Sequence, residues 1–226
     1  MEKIKFGLVG CGRISKKHLD VLTELENADL TAVCDLIPEK AAEAGKNYNI
    51  PFYTNYDEML SKHPDIQVVN ILTPSGTHAE IGIDIARKYR KNLVIEKPMA
   101  LKLQDADNLI SICNENNLKL FVVQQNRYNL PVQKVKEYID KNRFGKIVLA
   151  TVRVRWCRTE EYYKSDDWRG TWKYDGGVLT NQASHHIDLL QWLIGPVESV
   201  TAKGITALNN IEVEDTAAAI FKFKNG

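Results

Sequence analysis

Residues 4–15 read IKFGLVGCGRIS, and Asp35 closes the run LTAVCD twenty residues past Ser15. Ile4–Val9 is a short apolar run with the composition of a strand. Gly10, Gly12 and Ser15 fill the three small positions of a G-x-G-x-x-[G/A] turn, and the helix-like KKHLDVLTEL follows. This order predicts a strand, a tight turn and a helix whose N-terminus faces an anion. Gly10 permits the turn, Gly12 lets a pyrophosphate approach the backbone, and a small third residue lets helix and strand pack closely. Ser15 stays near glycine volume. Asp35 stands where a carboxylate hydrogen-bonds a ribose 2′-hydroxyl and repels a 2′-phosphate, which favours NAD over NADP. Arg13 and Ile14, inside the turn, join Gly10, Gly12 and Asp35 as cofactor-binding candidates.

Strand-like and helix-like runs alternate up to Val123. Helices are expected near Pro38–Tyr48, Tyr56–Lys62, Gly76–Lys88 and Leu103–Asn116, with strands at Phe52–Tyr53, Val68–Leu72, Leu93–Ile95 and Leu118–Val123. Alternation of this kind implies a doubly wound parallel sheet with helices on both faces. A Rossmann domain is therefore expected over residues 1–123. The rhythm then changes. A helix over Pro131–Asn142 and a long strand over Ile147–Trp156 precede an aromatic and arginine loop over Cys157–Gly177. A helix over Val178–Ile194, stopped by Gly195-Pro196, leads into strands near Val197–Ile205 and Thr216–Lys224. Residues 124–226 are thus expected to form an α+β domain with an open, mostly antiparallel mixed sheet. Asn225-Gly226 after the alternating AIFKFK is a hairpin signal with no returning strand, so the sheet is expected to be incomplete and the chain truncated.

The 30 Lys+Arg against 29 Asp+Glu leave no basic face for nucleic acid. No apolar run approaches transmembrane length, and MEKIKFGLVG enters a strand directly, without a signal peptide. Cys11, Cys34, Cys113 and Cys157 are scattered, which predicts buried free thiols and a cytoplasmic setting. No pair of histidines has the spacing of a metal site, so no metal is expected; His18 and His63 read as structural or solvent-exposed.

Three further motifs lie along the chain: Thr73-Pro74-Ser75-Gly76-Thr77-His78, Glu96-Lys97-Pro98 and Asn181-Gln182-Ala183-Ser184-His185-His186-Ile187-Asp188. With GLVGCGRIS they resemble the glucose–fructose oxidoreductase / inositol dehydrogenase / rhizopine-catabolism (Gfo/Idh/MocA) family. The resemblance runs through the whole chain and lacks roughly the last third of a usual member. The stretch from Arg153 to Gly195 looks most like the UDP-sugar 3-dehydrogenase branch, which oxidises UDP-N-acetylglucosaminuronate or a close relative in bacterial surface-polysaccharide synthesis.

The resemblance implies roles. Lys97 would be the catalytic lysine, its pKa lowered by a nearby cationic nicotinamide, and His185 the other acid/base group. Glu96 would orient the loop and Pro98 fix its shape. Asn181 and His185, four residues apart, are expected on one helix face, with Asn181 replacing the family's usual Asp and orienting the sugar. Thr73, Pro74 and His78 would border the nicotinamide; for His78, packing of the helix N-terminus is an open alternative. His186 reads as structural. Arg155, Arg158, Arg169 and Trp172 would meet uronate, diphosphate or uracil, as would Arg127 unless it forms a salt bridge at the domain junction. An ordinary packed loop is the alternative for that arginine and aromatic cluster.

Together these expectations describe an NAD-dependent sugar dehydrogenase. A polyol or inositol dehydrogenase of the same family and a non-catalytic NAD-binding module are the alternatives. The family further implies a homo-oligomer, through the open face of the second-domain sheet.

Overall fold

The computed structural model describes residues 2–225. Gly226, and with it the turn expected at Asn225-Gly226, lies outside the described residues. Contacts divide the chain into two units, residues 1–123 and 124–226.

The first unit holds six parallel strands: β1 (Ile4–Val9), β2 (Ala28–Cys34), β3 (Phe52–Tyr53), β4 (Val68–Ile71), β5 (Asn92–Ile95) and β6 (Leu120–Val122). Their order across the sheet is β3-β2-β1-β4-β5-β6. Helices α1 (Ser15–Glu24), α2 (Pro38–Tyr48), α3 (Tyr56–Lys62), α4 (His78–Tyr89) and α5 (Leu103–Glu115) make the connections. Adjacent strand residues point to opposite faces. Leu8 and Val33 accordingly join one apolar cluster with Leu19, Leu22 and Leu30, while Val9 and Cys34 join another with Ile71, Ile85 and Ile95. Both faces are therefore covered, as a parallel sheet requires. Burying each such side chain contributes about 1.5–3 kcal/mol. The order reverses between β1 and β4, and an open sheet binds ligands in the crevice beyond the C-terminal strand ends at such a point.

In the second unit, α6 (Leu130–Asp140), α7 (Glu160–Lys164) and α8 (Ser184–Ile194) accompany the antiparallel pair β7 (Val197–Ile205) and β8 (Thr216–Phe223). Three expectations are corrected here. Residues 147–156 form no ladder. Residues 149–158 and part of β8 line one groove of about 810 Å³, and among the described residues no strand pairs with this segment. The loop after it contains α7. The last long helix starts at Ser184 instead of Val178. Asn181 N–H bonds Gly177 O at 2.9 Å, and Ala183 N–H reaches back five residues to Val178 O at 2.8 Å. That wider closure makes 178–183 a separate turn ahead of α8.

Candidate active site

The glycine turn leaves β1 at Gly10, whose φ of +102° suits glycine. A Cβ there would meet the Leu72 backbone carbon at 2.7 Å, whereas at Gly12 it would meet nothing within 4 Å. Ser15 is buried, and its hydroxyl donates to Gly12 O at 2.6 Å, closing the turn. Asp35, at the end of β2, accepts from Cys11 N–H at 2.7 Å and from Ile37 N–H at 2.8 Å. Its carboxylate is thereby held facing the turn. Arg13 is exposed and Ile14 packs on the cluster around Leu8. Burial, then the Asp35 charge, pushes the Cys11 thiol up to about 12, and the same two causes push Cys34 up to about 12. Cys157 is exposed, which corrects the expectation that the thiols are uniformly buried.

Two loops beyond β4 and β5 complete this edge. Thr73 and Thr77 share a hydroxyl hydrogen bond of 2.7 Å, and Thr77 also donates to Pro74 O at 2.7 Å. His78 is 1% exposed, with Nε2 2.7 Å from Thr73 O and Nδ1 2.8 Å from Pro98 O. Burial holds its pKa below the ordinary value although both carbonyls favour the charged ring. A neutral ring carries one N–H, so only one of these contacts is a hydrogen bond at a time. The geometry matches the packing alternative: His78 ties the Thr73 loop to the Lys97-Pro98 loop. Glu96 is buried, and Lys97 is partly buried next to it.

Glu96 shows what residue order did not reveal. Its Oε1 lies 3.0 Å from His18 Nε2, and its Oε2 accepts from Lys97 N–H at 3.2 Å. Asn70 Nδ2 meets His18 Nδ1 at 3.1 Å. Burial opposes ionisation of Glu96, but the His18 hydrogen bond and charge hold its carboxyl below the ordinary value. His18 is half-buried and holds Asn70 and Glu96, in keeping with the structural one of the two expectations for it. Its signal was a histidine three residues after Ser15, one turn along α1.

In the second unit, Asn181 sits in the 178–183 turn and His185 in the first turn of α8, so they do not share a helix face. Asn181 Nδ2 donates to Asp175 Oδ1, and Asp175 Oδ2 accepts from Gly170 N–H at 2.8 Å. Asp175 is 1% exposed. Nothing in its local sequence, YDGG, marked it as the carboxylate that sets the Asn181 amide. His185 Nε2 is 3.4 Å from Gln125 Nε2. Arg127 pairs with Asp188 through Nε at 2.8 Å and Nη2 at 2.5 Å, a fork that joins the 125–128 turn to α8. The salt-bridge alternative describes this arginine, with both partners inside the second unit. His186 lines the apolar groove with Ile187 and Leu190.

The arginine and aromatic cluster is a stack. Arg158 lies 4.2 Å from the Trp156 ring and 4.3 Å from the Tyr162 ring. Arg169 lies 4.4 Å from Tyr162 and 4.5 Å from Trp168, and bonds Asp166 at 2.9 Å and Tyr162 Oη at 2.7 Å. Arg169 thus organises its own loop, while Arg155 and Trp172 are exposed.

The first unit fits a dinucleotide. The backbone at Gly12 is open, Asp35 is fixed beside it, and the first turn of α1 carries no acid to oppose a phosphate. Among the described residues no group of three or more His, Cys, Asp or Glu side chains could hold a metal ion.

Family models match on both units. Residues 4–124 match the oxidoreductase family with an NAD-binding Rossmann fold, and residues 132–226 match the GFO/IDH/MocA C-terminal domain. The chain belongs to the Gfo/Idh/MocA oxidoreductase family. Its first unit is an NAD-binding Rossmann domain. The WlbA dehydrogenase of Bordetella pertussis, crystallised with NADH and UDP-GlcNAcA, is 42% identical with a TM-score of 0.96. The WlbA enzyme of Chromobacterium violaceum, in complex with the same two ligands, is 40% identical with a TM-score of 0.96. All of this chain and 65% of each of those chains are covered, so the chain spans just under two thirds of their length. The myo-inositol 2-dehydrogenase of Thermotoga maritima is 26% identical over 99% of this chain and 66% of its own. Among the described residues no helix is long and apolar enough to cross a membrane.

Proposed function

We propose that this chain belongs to an NAD-dependent dehydrogenase that oxidises the 3-hydroxyl of a UDP-N-acetylglucosaminuronate-type sugar. The observation that carries this reading is the 40–42% identity, at a TM-score of 0.96, to two dehydrogenases crystallised with NADH and UDP-GlcNAcA. Bound NAD would supply the hydride acceptor. Gly10, Gly12, Arg13, Ile14 and Asp35 hold the cofactor, with Thr73, Pro74 and the His78-braced loop bordering it. Lys97 takes the hydroxyl proton, His185 serves as the second acid/base group, and Asn181, set by Asp175, orients the sugar. Arg155, Arg158 and Trp172 contact the uronate, diphosphate or uracil, while Arg127 and Arg169 position their neighbours. We assign the reaction to surface-polysaccharide synthesis by a homo-oligomer, and the scattered free cysteines support a cytoplasmic setting.

Oxidation of a polyol is the second reading, favoured by the similarity to the Thermotoga inositol dehydrogenase. Single-turnover nicotinamide reduction separates the two. Protein and NAD⁺ are mixed in turn with UDP-N-acetylglucosaminuronate, UDP-N-acetylglucosamine, myo-inositol and glucose. A burst with the uronate alone, absent in Lys97→Met, is the expected result. A burst with myo-inositol alone would transfer the assignment to the polyol class. NAD binding without any burst would favour a non-catalytic module.

A further inference from the structure

We propose that His18, seated by Asn70, is a positioning residue for Lys97 and acts through Glu96. The inference rests on the proposed role of Lys97 as proton acceptor. The chain of contacts crosses three elements: Asn70 on β4, His18 on α1, and Glu96 just past β5. Its links measure 3.1 Å, 3.0 Å and, to the Lys97 backbone N–H, 3.2 Å. Asn70 is 3% exposed and Glu96 8%, so water does not replace these partners readily.

Two protonation patterns fit the site. A neutral His18 accepts from Asn70 at Nδ1 and donates from Nε2 to Glu96. A charged His18 donates at both nitrogens, to an Asn70 turned to present Oδ1, an atom that is buried without a hydrogen-bond partner among the described residues. In either pattern Nε2–H points at Glu96. One carboxylate oxygen is thereby held on His18 while the other accepts the Lys97 backbone. A carboxylate so occupied is fixed in orientation beside Lys97. Among the described residues, the ionisable groups that act on Glu96 include His18 from α1, Lys97 next in sequence and the buried His78 from α4. Where a lysine titrates, Glu96 is ionised with or without His18. Loss of the His18 donor would leave its charge directed at Lys97, favouring the ammonium and disfavouring the form that accepts a proton.

The test uses the purified protein with its lysines reductively ¹³C-methylated and the Lys97 resonance assigned by its loss in Lys97→Met. Titration by NMR reads Lys97 whether or not turnover occurs. His18→Leu and His18→Phe remove the donor and fill the site in different shapes; His18→Gln keeps a donor toward Glu96. In both apolar variants the Lys97 midpoint is expected to rise by about one pH unit, and kcat below that midpoint to fall ~10-fold. The KM for NAD⁺ should stay within about twofold, and His18→Gln should restore most of the difference. A Lys97 midpoint unmoved in the folded apolar variants would overturn the proposal. So would failure of both apolar variants to fold, which would assign His18 to the scaffold. Hydride transfer intact in Lys97→Met would instead overturn the proton-acceptor reading and leave the midpoint shift standing.

Discussion

The Asp35 carboxylate accepts the Cys11 backbone N–H at 2.7 Å, which ties the acid that ends β2 to the glycine turn that ends β1. The residue read as a ribose acceptor therefore also shapes the cradle beside it. Asp35→Ala is expected to weaken NADH binding by ~10-fold or more, since charge-assisted hydrogen bonds contribute about 1.5–3 kcal/mol. Asp35→Ser should also narrow the preference for NADH over NADPH by removing the charge. Fluorescence titration with both cofactors reads the two effects separately.

Gly10→Ala should destabilise the fold by more than about 1 kcal/mol, because the backbone conformation disfavours a side chain. The Cβ contact with Leu72 is with backbone, at 2.7 Å, so no flexible side chain can yield. Gly12→Ala meets open space and should leave stability nearly unchanged while weakening cofactor binding. Denaturant midpoints with and without NADH distinguish the two glycines.

Arg127 and Asp188 form a two-bond fork with the carboxylate largely buried and the guanidinium partly exposed. A double-mutant cycle with Arg127→Ala and Asp188→Ala should return a coupling of about 1 kcal/mol, decreasing with salt. Arg127→Lys should recover only part of it, because an ammonium cannot reproduce the fork. Additive single variants would show that the pair contributes nothing.

Asp215 governs the expected acid limb of stability. Burial acts to raise its pKa, but hydrogen bonds from Ala207, Leu208 and Asn209 N–H and from Thr216 lower it to about 2 from 3.8. A group with a depressed folded pKa stabilises the fold above its unfolded value and loses that contribution as pH falls through the folded value. Stability should therefore decline between about pH 4 and pH 2. Asp215→Asn should be less stable at neutral pH and show a flatter decline across that window, as read by urea midpoints.

Cys157 is exposed, whereas Cys11 and Cys34 are held as thiols by pKa values of about 12. At pH 8 the folded protein should show one fast-reacting thiol toward a disulfide reagent, and Cys157→Ser should abolish that phase. A fast phase that persists in Cys157→Ser would place reactivity among Cys11, Cys34 and Cys113.

Local pattern carried the first unit. Strand, glycine turn, helix and terminal acid occur within residues 4–35, and their meaning rests on short-range backbone geometry and a period of side-chain burial. Alternation to Val123 was enough to imply a parallel sheet covered on both faces. Contacts distant in sequence were beyond that reach. His18 and Glu96 stand 78 residues apart and meet because α1 and β5 are brought to one end of the sheet. Asp175 and Asn181 are close in sequence, but their pairing depends on a turn that residue spacing read as helix. The 147–156 segment shows the same limit from the other side. Its alternation predicts a strand, yet a strand is a relation between two backbones, and among the described residues no neighbouring strand pairs with it. Sequence by itself determined the fold class and the NAD-binding Rossmann domain. Tertiary structure decided which polar side chains face each other, because burial and hydrogen-bond partnership depend on which elements the fold packs together.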